Sequence, residues 1–146
     1  MLKRLILVLS FLVLISPLAQ ANIKKIAIVD VQKVVNKSAQ VQALKKEQEV
    51  KRKELSAFIK KAGEEIQKET DAKKKKALMD KYDKQLKTKQ DANLKTYKTK
   101  LEAIDKNINA TIVQQAKTMG YDMVLTKGVV LYGGEDITEA VLKVVK

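Results

Sequence analysis

Residues 41–119 read VQALKKEQEVKRKELSAFIKKAGEEIQKETDAKKKKALMDKYDKQLKTKQDANLKTYKTKLEAIDKNINATIVQQAKTM. The stretch holds no proline and only one glycine, Gly63, while the other four glycines crowd into positions 120, 128, 133 and 134. It is filled with charge around a thin apolar stripe. In its first half Val41, Leu44, Gln48, Lys51, Leu55, Phe58 and Ala62 recur at spacings of three and four, widened by Ile59 and Ile66. In its second half Leu78, Tyr82, Leu86, Leu94, Tyr97, Leu101, Ile104, Ile108 and Ile112 keep spacings of three, four or eight. Both patterns mark one face of a helix. They predict helices over about Ala39–Lys68 and Lys76–Met119, with Thr70, Asp71 and Ala72 as the turn. At ~1.5 Å per residue these span roughly 45 and 65 Å. Only 16 of the 56 residues from 45 to 100 are apolar, enough to zip two helices and too few for a packed core. Two polar seam positions, Gln48 and Lys51, weaken the first half, and Gly63 marks a bend or a weak point because glycine costs about 1 kcal/mol against alanine there.

Outside this hairpin the pattern changes. Ile26–Val29 is a short continuous apolar run, as expected of a strand buried on both faces. Asp30 suits the cap of a helical turn through Val31–Val35, rather than a catalytic acid. Asn36, Lys37 and Ser38 break that turn, and the Ser38 hydroxyl suits the N-cap of the first long helix. Gly120 fits a left-handed position closing the second helix. Tyr121–Leu125 and Val129–Tyr132 read as strands, with turns at Thr126–Gly128 and Gly133–Gly134. Asp136 and Glu139 have capping-box spacing at the start of a last helix. Ile137, Val141 and Val145 form its apolar face, and Lys143 and Lys146 lie near its negative end. The fold class is thus α+β, mostly α: a long antiparallel, coiled-coil-like helical hairpin, residues 45–104 with its tip near 69–76, on a small β-containing head built from 22–44 and 105–146. A head of about 50–60 residues buries little surface alone. Sharing one core among several chains is the economical answer, with a homotrimer preferred. Ile26, Ile28, Val29, Val124, Leu125, Val130 and Leu131 are the expected oligomerisation residues.

Residues 1–21 read as a cleaved secretory signal peptide. Lys3 and Arg4 precede the apolar run Leu5–Ile15, which Ser16 and Pro17 end, and Ala19-Gln20-Ala21 is a small-x-small site. The run is shorter than the ~20 residues of a spanning helix. No cysteine is present, so neither lipidation at the cleavage site nor a disulfide is available. The A-x-A pattern favours a bacterium, and an exported, unanchored chain is periplasmic or secreted. Cleavage leaves 125 residues with 28 basic and 17 acidic side chains, net +11. Residues 45–100 alone carry 19 Lys/Arg against 10 Asp/Glu. Such a field attracts polyanions, acidic protein surfaces or anionic membranes.

Catalysis finds no support. Without His or Cys the usual zinc sites and most nucleophile–base pairs are excluded. Gly133-Gly134 lacks phosphate-loop spacing, and Glu64-Glu65 sits on a solvated arm without a pocket. No cofactor is expected. A nucleic-acid binder would be equally basic, but export removes it from the chromosome, and arginine and aromatic residues are scarce, so no nucleic-acid partner is expected. The run Lys73–Lys76 reads first as a solvated hairpin tip. Its second reading, with Lys81 and Lys84, is a contact for an anionic membrane or an acidic chain. Tyr82, Tyr97, Tyr121 and Tyr132 read as packing residues.

The segment Ile26-Ala27-Ile28-Val29-Asp30-Val31-Gln32-Lys33-Val34-Val35 resembles the opening of the Skp/OmpH family of periplasmic chaperones. Gly120-Tyr121-Asp122-Met123-Val124-Leu125, the Val129–Tyr132 strand and Asp136–Lys143 resemble that family's closing strands and helix. The likeness covers essentially the whole mature chain. It implies a periplasmic homotrimer in which three hairpins hang from a β-rich head. They enclose a cavity that holds unfolded outer-membrane β-barrel proteins without ATP. A basic cavity suits such clients because long-range attraction raises the on-rate without fixing a pose. Lysine stems with Met79, Tyr82, Leu86 and Tyr97 can cover apolar client segments weakly. Anionic lipid or lipopolysaccharide is a further partner class. The arginine cluster proposed to bind lipopolysaccharide in some members has no counterpart, since the only mature arginine is Arg52, in the outgoing helix. The alternative is a non-catalytic spacer or adaptor of the cell envelope that binds anionic surfaces.

Overall fold

The computed structural model describes residues 24–145; the expected signal peptide over 1–21, and Lys146, lie outside them. Strand β1 (Ile26–Val29) leads through helix α1 (Val31–Lys37) into the long helices α2 (Ala39–Lys68) and α3 (Ala72–Thr118). Strand β2 (Met123–Thr126), a 3₁₀ turn (Lys127–Val129), strand β3 (Glu135–Asp136) and helix α4 (Thr138–Leu142) complete the chain. The sheet has the order β2-β1-β3 and is parallel throughout, with Ile26 opposite Met123, Ile28 opposite Leu125, and Ala27 opposite Glu135. Parallel neighbours need a long crossover. Here the whole α1–α2–α3 excursion is the crossover between β1 and β2.

Alternation along β1 sends Ala27 and Val29 to one face of the sheet. There they are buried with Val34 of α1, Ile108, Ile112 and Ala116 at the root of α3, and Ile137 and Val141 beside and within α4. The head is stitched further by the Lys33–Glu139 ion pair at 2.5 Å, joining α1 to α4, and by the Asp30 N–H donating to Thr138 Oγ1 at 2.9 Å. Asp30 caps α1 as expected, its Oδ1 accepting from the Lys33 N–H at 2.9 Å. The end of α3 also matches the reading. Gly120 has φ +79°, its N–H donates to Lys117 O and that of Tyr121 to Ala116 O, which satisfies the last carbonyls of the helix.

Five expectations are corrected. Helix α1 runs on through Asn36 and Lys37, so Ser38 alone breaks it. Ser38 occupies the N-cap position of α2, but its buried side chain makes no capping hydrogen bond there. The tip turn is residues 69–71 rather than Thr70–Ala72, and α3 starts at Ala72 rather than Lys76. Glu69 accepts from the Asp71 N–H at 3.0 Å and Asp71 caps Lys74 N at 2.9 Å, so the lysine run is drawn into the first helical turn. Val129–Tyr132 is not a strand: a 3₁₀ turn opens it, Leu131 and Tyr132 are wholly exposed, and the third strand is Glu135–Asp136. Asp136 lies in β3 rather than at the cap of α4, and accepts from Thr138 N at 3.0 Å and Thr138 Oγ1 at 2.5 Å. Glu139 meanwhile reaches Lys33 instead of closing a capping box.

Candidate functional site

Beyond the head, among the described residues, the two long helices pack against each other. Between residues 45 and 104 the single buried residue is Ala62. The seam is made of half-buried Leu55, Phe58 and Ile66 on α2, and of Leu78, Tyr82, Leu86 and Tyr97 on α3. The Phe58 and Tyr82 rings meet edge to face at 5.7 Å, and Lys89 Nζ lies 5.2 Å from the centre of the Phe58 ring. The Tyr82 hydroxyl donates to Glu65, and that bond pushes the phenol pKa up. Nearer the root, Lys100 binds both oxygens of Glu47 at 2.5 and 2.7 Å.

Midway, the seam loses its apolar character. Gln48 and Asn93 exchange amide hydrogen bonds at 3.2 and 3.5 Å, and Lys51 is exposed. The expected seam residue Leu94 faces solvent and Asn93 takes its place, because the register that buries Leu86 and Tyr97 on one line passes through position 93. Hollows open on both sides of this weak layer. One groove of about 540 Å³ is floored by Val41, Leu44, Tyr97 and Leu101, with Lys45 and Arg52 on its rim. The other, about 270 Å³, is lined by Leu55 and Ala92 with Glu47, Glu54, Lys89 and Thr96 around them. Ile59 (50% exposed), Met79 (48%), Leu94 (52%) and Leu101 (46%) remain open on the arm.

The lysines singled out from sequence do not converge. Lys73, Lys74, Lys75 and Lys76 follow Ala72 at the start of α3 and point round the helix at about 100° steps. Lys81 sits 5.6 Å from the Tyr82 ring centre and Lys84 borders a hollow beside Phe58. None of the six takes part in an ion pair among the described residues. Of the head residues, Val29 and Val124 pack into the protomer's own core. Ile26, Ile28 and Leu125 lie on the opposite face of the sheet, Val130 is half-buried beyond β2, and Leu131 is fully exposed. Tyr121 and the two arm tyrosines pack, whereas Tyr132 does not. The groove itself was missed, although the seven-residue spacing of Lys45, Arg52 and Ile59 is visible in the sequence.

Among the described residues no group of His, Cys, Asp and Glu side chains is arranged to hold a metal ion, and no helix is long and apolar enough to cross a membrane. No individually curated protein was found to match the chain. The family model described as outer membrane protein (OmpH-like) matches residues 25–145, which takes in the sheet, both arms and α4. A head and paired arms matched end to end in this way place the chain in the OmpH-like, or Skp/OmpH, family.

Proposed function

We propose that this protein is an ATP-independent periplasmic holdase, exported behind a cleaved signal peptide over residues 1–21. It binds unfolded outer-membrane β-barrel proteins between basic arms, prevents their aggregation and hands them on towards outer-membrane assembly. The OmpH-like family is one of periplasmic chaperones of outer-membrane proteins and not one of enzymes, which supports the class of partner, the compartment and the absence of catalysis. The observation that carries the reading is the poverty of the arms: from 45 to 104 one residue is buried, so these helices serve as presented surface rather than as fold. Helices this poor in tertiary contacts open locally at low cost, which suits clients of different size. Because a holdase binds the unfolded state, release follows from the client folding elsewhere.

In this reading residues 22–44 and 105–146 form the head of a homotrimer and 45–104 the arm. The one-sided sheet supports it. All-parallel sheets are ordinarily covered on both faces, yet among the described residues helices cover only the face of Ala27 and Val29. Ile26 and Leu125, with Val130, Leu131 and Tyr132 beside them, supply an apolar surface for a second and third copy, while Ile28 between them is already buried in the protomer beside Gly134. The exposed lysines at 73–76 also favour a tip that meets anionic lipid or lipopolysaccharide, the contact a spacer or adaptor would use. One titration separates the two. A urea-unfolded outer-membrane β-barrel protein is diluted into buffer with increasing mature chain while light scattering is followed. Suppression saturating near three protomers per client supports the caged holdase; unchanged scattering, or equal suppression by any basic helical protein, favours the adaptor.

A further inference from the structure

The two flanks of the arm differ in chemistry. Lys45, Arg52 and Ile59 are seven residues apart, so at 3.6 residues per turn they stack along one flank of α2. Leu94 and Leu101 stack likewise on α3. The 540 Å³ groove is lined by Lys45 and Arg52 from one helix and Leu101 from the other, so the two stacks border the same flank. On this flank Lys45 and Arg52 make no ion pair among the described residues, and the one acid at the groove, Glu49, is held by Lys53 at 3.0 Å. On the other flank most cations are answered: Lys100 by Glu47, Lys51 (which borders both grooves) by Glu54 at 2.8 Å, and Lys61 by Glu65 at 3.9 Å, while Lys89 lies over the Phe58 ring. Half-exposed aliphatic residues and the unpaired Lys45 and Arg52 therefore share one flank, and mostly paired charge occupies the other.

We propose that this flank is the client-bearing surface of the arm. The groove takes an apolar side chain of an extended, non-native polypeptide, and Arg52 and Lys45 hold an adjacent carboxylate. The proposal rests on the holdase reading and names where the client sits. A polypeptide fits better than a lipid chain because the groove ends at the Gln48–Asn93 amide pair, whose longer hydrogen bond measures 3.5 Å. Those amides can exchange their partners for backbone N–H and C=O groups of a peptide, whereas an acyl chain would leave them unused. A guanidinium on an apolar floor also suits a carboxylate, to which it can donate two parallel bonds.

The chain has no cysteine, so single thiols can be introduced cleanly. Leu101→Cys places an environment-sensitive fluorophore at the groove. Val50→Cys places it at a comparably exposed position about 200° round α2 from Arg52. Addition of a urea-unfolded outer-membrane β-barrel protein should blue-shift the label at 101 and leave that at 50 unchanged. With a synthetic peptide alternating Leu or Tyr with Asp, Arg52→Glu should weaken binding about fivefold at low salt, the worth of about 1 kcal/mol of charge contact. The same peptide with Lys for Asp should not be weakened. Circular dichroism checks that each variant keeps its helices. Equal shifts at both labels, or a shift at 50 alone, overturn the assignment. So does a label at 101 that answers vesicles of phosphatidylglycerol but not polypeptide. Suppressed client aggregation with the wrong label responding sinks the groove alone; undiminished scattering with the unlabelled chain sinks the holdase reading and the groove's part in it together.

Discussion

Gly63 lies inside α2 with open space where a Cβ would stand, so a methyl group meets nothing. Gly63→Ala should stabilise the arm by about 1 kcal/mol through helix propensity and reduced freedom of the unfolded chain; slower amide exchange around residue 63 is the readout. The opposite sign is expected at Gly134. Its φ is +83° and a Cβ would fall 2.8 Å from Ile28 Cγ1, so Gly134→Ala should cost more than about 1 kcal/mol in urea unfolding of the head. Asp136 gives a pH signature. Hydrogen bonds from the Thr138 side chain, then from Lys127 at 2.9 Å and the Thr138 N–H, hold its carboxyl well below the usual carboxylate range. A depressed folded-state pKa contributes stability that is complete above the unfolded value, near 4, and is lost as pH falls below it. Asp136→Asn should therefore be less stable than the parent at pH 7, with the gap closing as the pH is taken below about 4 in thermal melts. Capping-box spacing puts that carboxylate at the cap of the last helix, where Ile137 stands instead, and it misses the partner Lys127, since spacing says nothing about which loop folds back onto β3.

The arm's weak layer is a matter for whole helices. Asn93→Leu alone leaves the Gln48 amide facing an apolar partner, whereas pairing it with Gln48→Leu turns the layer into continuous seam. The double variant should slow exchange across residues 44–58 by about tenfold, or about 1.4 kcal/mol, and the single variant should not. The tip carries a conflict of another kind. Lys73, Lys74 and Lys75 occupy the first turn of α3, with Lys76 just beyond it, where the helix dipole favours anions. Lys73→Glu with Lys74→Glu should stabilise that helix start and, if the tip meets anionic surfaces, weaken sedimentation with phosphatidylglycerol vesicles. Much at this scale could be read beforehand. Helical spacing gave α2 to the residue, because a long, proline-free amphipathic run leaves no competing pattern. It mistook Leu94 for a seam residue because hydropathy prefers leucine to the neighbouring asparagine, and only the pairing register with α2 decides between them. Val129–Tyr132 looked like a strand because β-branched and aromatic residues are also what an uncovered apolar surface requires.

For the whole molecule the open sheet face makes the first prediction. Leu131→Asp with Tyr132→Ser should shift sedimentation towards the monomer while far-UV circular dichroism stays unchanged, since both side chains are fully exposed in the protomer. Client binding should also weaken with added salt yet persist, because apolar contact survives when the Debye length shrinks to about 3 Å at 1 M; full retention would remove the electrostatic share. The route of the chain adds a consequence for how the arm can change. Strands β1 and β2 are hydrogen-bonded neighbours, yet every residue from Asp30 to Asp122 lies between them. As an open coil that span would have to close on itself before the sheet could form, but zipping α2 against α3 brings its two ends together beforehand. Head formation then depends on the hairpin being closed and hardly on its length, since even for a coil a doubled loop costs only about 0.6 kcal/mol. Equal blocks of two helical turns could be added to or cut from both arms with the sheet register undisturbed. Reach is thereby an independent dial, able to drift to suit larger or smaller cargo while the strands that anchor it stay as they are.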